Sequence, residues 1–161
     1  MSKTQIDAPA GVPFVDITRE FDAPLELVRR AWTDPDLVKQ WLGPRRFEMV
    51  IERWDPRAGG AYRYIHRDEA GNEFGFHGVF HSNDPDNMVQ TFEFEGLPGH
   101  VSLDKLALED IGDGRTRAQI HSVYQSLEDR DGMVQAGMGD GVNEGFERLD
   151  ELLARMPMPV G

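Results

Sequence analysis

The sequence predicts an α+β domain: a curved antiparallel sheet of six or seven strands wrapped on one long C-terminal helix, with two short helices after the first strand. Three observations predict it. Residues 127–156 hold apolar side chains at helical spacing, residues 47–124 alternate apolar and polar positions with a period of two, and hairpin-length turns separate the alternating runs. Short connections force neighbouring strands to be antiparallel. A sheet with one apolar face must bury it, and the C-terminal helix is the only element long enough to cover it.

The first strand is read from Val15, Ile17 and Phe21, which alternate with Asp16, Thr18 and Glu20. Arg19 shares the apolar parity, and its charge is expected to place it at a strand end with the guanidinium in solvent. Asp22 is placed to cap a short helix with Pro24 in its first turn and Leu25, Val28, Ala31 and Trp32 on its apolar face. Thr33-Asp34-Pro35 restarts the chain as a second short helix carrying Leu37, Val38 and Trp41, which Gly43-Pro44 ends.

Strands follow at Phe47–Glu52, Tyr62–His66, Phe74–Phe80, Val89–Phe94, Val101–Glu109 and Thr116–Tyr124. Asp55-Pro56 with Gly59-Gly60, Glu69–Asn72, Asp84–Asn87, Leu97–Gly99 and Gly112–Gly114 supply the turns. The apolar parity slips between Val101/Leu103 and Leu106/Leu108, which predicts a β-bulge near Asp104. The helix is expected from about Arg130 to Arg155. Val134, Met138, Val142, Gly145, Leu149 and Leu152 form its stripe, Phe146 and Leu153 widen it, and Pro157 stops it. Its first half is rich in glycine at positions 132, 137, 139, 141 and 145. Each interior glycine costs roughly 1 kcal/mol against alanine. Something there excludes side chains, either close approach to the sheet or an open cavity. Residues 1–13 and 157–161 read as tails flanking a single domain over 14–156.

Composition excludes several functions. The net charge of −12 and the absence of any Lys/Arg cluster disfavour nucleic acid and anionic membranes. With no cysteine there are no disulfides, thiolate nucleophiles or thiolate metal sites, a composition compatible with the cytoplasm, the expected location. No apolar run reaches the roughly 20 residues of a membrane span, and the first residues lack the apolar core of a signal peptide. The five histidines lack chelating spacing, so no metal or other cofactor is expected. Pairing Tyr62 with Phe80 and Tyr64 with Gly78 would put His66 and His77 on opposite faces. No nucleophile elbow, P-loop or dinucleotide fingerprint is present.

The segments REFDAPLELVRRAWTDPDLVKQWLGP, DPRAGGAYRY, GVFHSNDPDNMVQTFEF and GMGDGVNEGFERLDELLARM resemble the START-like (SRPBCC) superfamily. Within it they are similar to the homologues of the C-terminal domain of the activator of heat shock protein 90 ATPase, over about residues 14–156. The resemblance implies the helix-grip fold. It also implies a pocket between sheet and helix. The candidate lining is Trp32, Trp41, Phe47, Met49, Ile51, Tyr62, Tyr64, His66, Phe76, Phe80, Phe92, Phe94, His121, Met133, Gly137, Met138, Gly141 and Val142. Aromatic and methionine side chains suit an adaptable apolar pocket, and equally an ordinary core.

The expected function is binding of a small apolar or amphipathic molecule without chemistry. A co-chaperone-like interaction module with a chaperone partner, acting in a stress response, is the alternative. A cyclase- or hydrolase-type enzyme is a third, for which Arg19, His66 and His121 are the candidate inward groups. Edge-strand or helix packing leaves a homodimer open.

Overall fold

The computed structural model describes residues 4–158. The chain runs β1 (Gln5–Asp7), β2 (Phe14–Phe21), α1 (Leu25–Thr33), α2 (Pro35–Val38), β3 (Glu48–Trp54), β4 (Ala61–Arg67), β5 (Glu73–Asp84), β6 (Asn87–Phe94), β7 (Val101–Gly112), β8 (Arg115–Val123), α3 (Leu127–Gln135) and α4 (Met138–Arg155). All eight strands form one antiparallel sheet in the order β1-β2-β8-β7-β6-β5-β4-β3. The short helices carry the chain from β2 to the far edge at β3. Bulges between Ile51 and Arg53, Phe80 and Ser82, and Asp110 and Gly112 bend the sheet.

One strand more than expected arises because Gln5–Asp7, placed by the sequence in a loose tail, pairs with Asp16–Thr18 on the sheet edge. Its exposed residues carry no burial pattern to reveal it. Asp22 does not cap α1; that N-cap is Pro24, whose carbonyl accepts from Leu27 and Val28, while the Asp34 side chain caps α2.

The single C-terminal helix is two helices. Gly137 stands between them in the left-handed region at φ 88°, and Gly137 N–H donates to Val134 O at 3.2 Å as the first helix closes. The break changes which face of α3 meets the protein. Val134, expected on the apolar stripe, is exposed, whereas Arg130 is buried and donates from Nη1 to Pro9 O at 2.7 Å. α4 is the amphipathic anchor: Gly145, Phe146, Leu149, Leu152 and Leu153 are buried against the inner face.

Arg19 also departs from expectation. It is 4% exposed and points inward from β2, its guanidinium paired with Asp150 of α4 and lying 5.3 Å from the centre of the Phe21 ring. A partner carboxylate from another element is what allows the charge inside.

A candidate ligand cavity

The bulge expected near Asp104 is absent. β7 pairs with β8 without a shift from Leu103 to Asp110. Ser102, Asp104, Leu106 and Leu108 therefore share the inner face, and Leu103 is an exposed apolar residue on the outer one. Register sets Gln90 of β6 beside Asp104, and Asp104 beside Ser122 of β8. The middle of the sheet's inner face thus carries a row of polar side chains.

Around this row lies a cavity of about 400 Å³ between the sheet, the segment from Trp41 to Phe47, and the two C-terminal helices. Of the expected lining, Trp32, Trp41, Phe47, Tyr62, Tyr64, His66, Phe76, Phe92, Met133, Met138, Gly141 and Val142 border it. The other six do not. Met49 and Ile51 line a separate groove, between the edge strand β3 and the α2 residues Pro35 and Asp36 with Lys39. Phe80 is buried behind Trp54 and Tyr62, and Phe94 packs behind Phe76 against Phe74. His121 pairs with Asp16 at 2.5 Å on the outer face, since its neighbours Ile120 and Ser122 take the inner positions. Gly137 is the interhelical turn, and a side chain there would meet nothing within 4 Å. Sequence reading missed Trp54, Gln90, Ser102, Asp104, Ser122 and Tyr124. Extending the Leu106/Leu108 parity back by four residues would have found Ser102 and Asp104.

The walls are fixed by hydrogen bonds from their polar tips. Trp41 Nε1 donates to Ala31 O at 2.8 Å, Trp54 Nε1 to Thr33 O at 2.7 Å and Tyr62 Oη to Thr91 O at 2.6 Å. Gln90 Nε2 reaches Tyr62 Oη at 3.3 Å. Tyr64 stacks on Phe76, and Phe76 on Phe92, with centroids 5.2 and 5.4 Å apart. Such pairs hold rings in place beyond their area of burial.

Several ionisable groups of the lining depart strongly from ordinary behaviour. Burial pushes the Asp104 carboxyl up to about 6, against the opposing pull of the Ser122 and Ser102 hydroxyls. Ser102 Oγ donates to its Oδ1 at 3.1 Å. His66 is displaced the other way, to about 4, by burial first and by the charge of Arg148 second, with the Leu42 carbonyl opposing. It is 7% exposed, stacked on Phe47, and Nε2 has no partner. Its ring abuts Gly43, where φ is +92° and an added Cβ would lie 2.5 Å from Cε1. Glycine there lets the loop close over the imidazole. Burial also raises the hydroxyls of Tyr62 and Tyr64, and pushes Tyr124 up to about 12. The nearby Asp104 charge acts on all three in the same direction, and the buried Arg130 opposes it at Tyr124.

Among the described residues, no helix is long and apolar enough to cross a membrane, and no three His, Asp or Glu side chains gather as a metal site requires.

An antiparallel sheet bent over a C-terminal helix, with an interior cavity between them, defines the helix-grip class. Residues 22–154 match the model of the family described as activator of Hsp90 ATPase homolog 1-like protein, and the chain belongs to that family. A comparison with curated proteins finds no match. Among solved structures, the chain is similar to a crystal structure from Rhodobacter sphaeroides, at 25% identity and a TM-score of 0.87, covering 96% of this chain and all of that one. A solution structure from Arthrobacter aurescens has 26% identity and a TM-score of 0.86, over 96% of this chain and 93% of the other. A crystal structure from Mycobacterium smegmatis, at 22% identity and a TM-score of 0.84 over 96% and 98%, shares the fold.

Proposed function

We propose that this protein binds a small amphipathic molecule in the cavity between sheet and C-terminal helices. The observation that carries the reading is the cavity's composition: about 400 Å³ walled by aromatic and methionine side chains, with one convergent polar row. That volume and that mix of apolar wall and few polar groups are what small-molecule sites have. Membership of a family within a superfamily of binding folds agrees with it, although fold alone never assigns a function.

The test uses 1-aminoanthracene, a neutral fluorophore that brightens in apolar sites. The expected result is saturable one-to-one binding with a rise in melting temperature. Gly141→Leu places a side chain at the cavity wall, where a Cβ would meet only Pro44 at 3.7 Å. This variant keeps the fold and loses the fluorescence response. No saturable response, or one that Gly141→Leu leaves intact, overturns the reading. A chaperone partner would instead reveal itself by a change in the ATPase rate of purified heat shock protein 90 that Gly141→Leu leaves unaltered.

A further inference from the structure

We infer that the cavity selects an organic cation, an apolar body bearing a protonated amine or quaternary ammonium group, with Asp104 as counter-ion and the surrounding aromatic rings as its cage. The inference rests on the cavity-binding reading and names the ligand's chemistry.

Charge is the first reason. Asp104 sits on the inner face of the central strand β7, and among the described residues the cavity lining holds no lysine or arginine to offset it. The other groups facing Asp104 are neutral: Ser102 on its own strand, Gln90 from β6, Ser122 and Tyr124 at and just after β8, and Tyr62 and Tyr64 from β4. The tyrosine hydroxyls stay protonated at neutral pH because burial raises them. From the helices the cavity receives Met133, Met138, Gly141, Val142, Gly145 and Phe146, none of them charged. His66 is also in the lining, and burial together with Arg148 holds it neutral. A carboxylate that burial penalises and no cation of the lining offsets is costly by itself, and a positively charged ligand would remove that cost.

The rings are the second reason. Tyr62, Tyr64 and Tyr124 are close enough for the Asp104 charge to raise all three hydroxyls. Trp32, Trp41 and Trp54 complete the aromatic wall. Aromatic faces attract ammonium groups by their quadrupole, most strongly where water is excluded. An anionic ligand would meet the opposite: an uncompensated carboxylate inside a protein of net charge −12. A neutral hydrogen-bond donor would satisfy Asp104 without using the rings' attraction, so it ranks second.

The experiment compares three compounds of one shape as competitors of 1-aminoanthracene: 1-adamantanemethylamine, 1-adamantanemethanol and 1-adamantaneacetate. The amine is expected to compete at least tenfold more tightly than the alcohol, and the acetate least. Asp104→Asn should bring amine and alcohol to within about twofold, each compared through that variant's own 1-aminoanthracene affinity. Acidifying the wild-type chain from about pH 7.5 to about pH 5 should erode the amine's advantage and leave the alcohol unchanged, because the amine stays cationic while Asp104 protonates. This arm decides the matter if the variant fails to fold.

Equal competition by amine and alcohol, a stronger acetate, or an amine preference that survives in Asp104→Asn overturns the inference while the cavity reading stands. Failure of all three to compete against bound 1-aminoanthracene also overturns it. Failure of 1-aminoanthracene itself, with no saturable binding, removes the cavity reading first.

Discussion

Asp104 and His66 give the cavity's polar groups opposite effects on stability as pH changes, and replacing Asp104 by asparagine exposes them. The Asp104 carboxyl titrates near 6 in the folded chain against an ordinary 3.8. A raised carboxyl contributes stability that is present below 3.8 and lost as pH rises through about 6. At about 1.4 kcal/mol per pH unit, the loss amounts to about 3 kcal/mol at pH 7. His66 runs the other way. It falls from 6.5 to about 4, so its contribution is present above 6.5 and lost as pH drops through about 4, again by about 3 kcal/mol. In the wild-type chain the two slopes oppose each other between about pH 4 and 6.

Asp104→Asn keeps the side chain's shape and removes its titration. The variant should be more stable than wild type by up to about 3 kcal/mol at pH 7.5, which for a chain of this length is roughly 6–12 °C in melting temperature. Its stability should then fall with acid, where His66 acts alone. His66→Gln should show the complementary behaviour, with stability rising as pH falls from about 6.5 to 4. Urea denaturation of the three chains across this range reads the differences directly, since exposed carboxylates titrate alike in all of them. If Asp104→Asn matches wild type in both stability at pH 7.5 and slope, Asp104 is solvated and the reasoning fails.

The glycines of the helix pair give three further predictions, read by thermal melts. Gly137→Ala has open space for its methyl group but a backbone at φ +88°, so it should destabilise by about 1 kcal/mol, and an unchanged or raised melting temperature would refute the left-handed turn. Gly141→Ala, meeting Pro44 at 3.7 Å, should be neutral or stabilising by up to about 1 kcal/mol, since alanine favours the helix. Gly145→Ala should cost about 1–3 kcal/mol, because its Cβ would press on Trp41 O at 3.1 Å and Gly43 N at 3.3 Å, both backbone atoms; equal melting of Gly141→Ala and Gly145→Ala would count against this packing.

Local pattern determined the fold class. Alternation along β2, β4 and β5, the turn residues between them and the apolar stripe of α4 are short-range signals of which face is buried, and they placed seven of the eight strands and the anchoring helix. The pairing proposed for β4 and β5 was two residues out, with Tyr62 opposite Gly78 rather than Phe80. A shift of two preserves parity, so Arg63, not His66, faces His77. Tertiary structure decided wherever hydrophobicity and facing disagree. Leu103 looks outward and Ser102 and Asp104 look inward, because a cavity tolerates polar groups that a packed core would reject. Arg19 and Arg130 are buried because Asp150 and the Pro9 carbonyl, far away in sequence, receive them. Gly137 ends one helix and begins another because its backbone adopts a left-handed turn. Each of these depends on a partner from another element or a backbone angle, and periodicity along one segment carries neither.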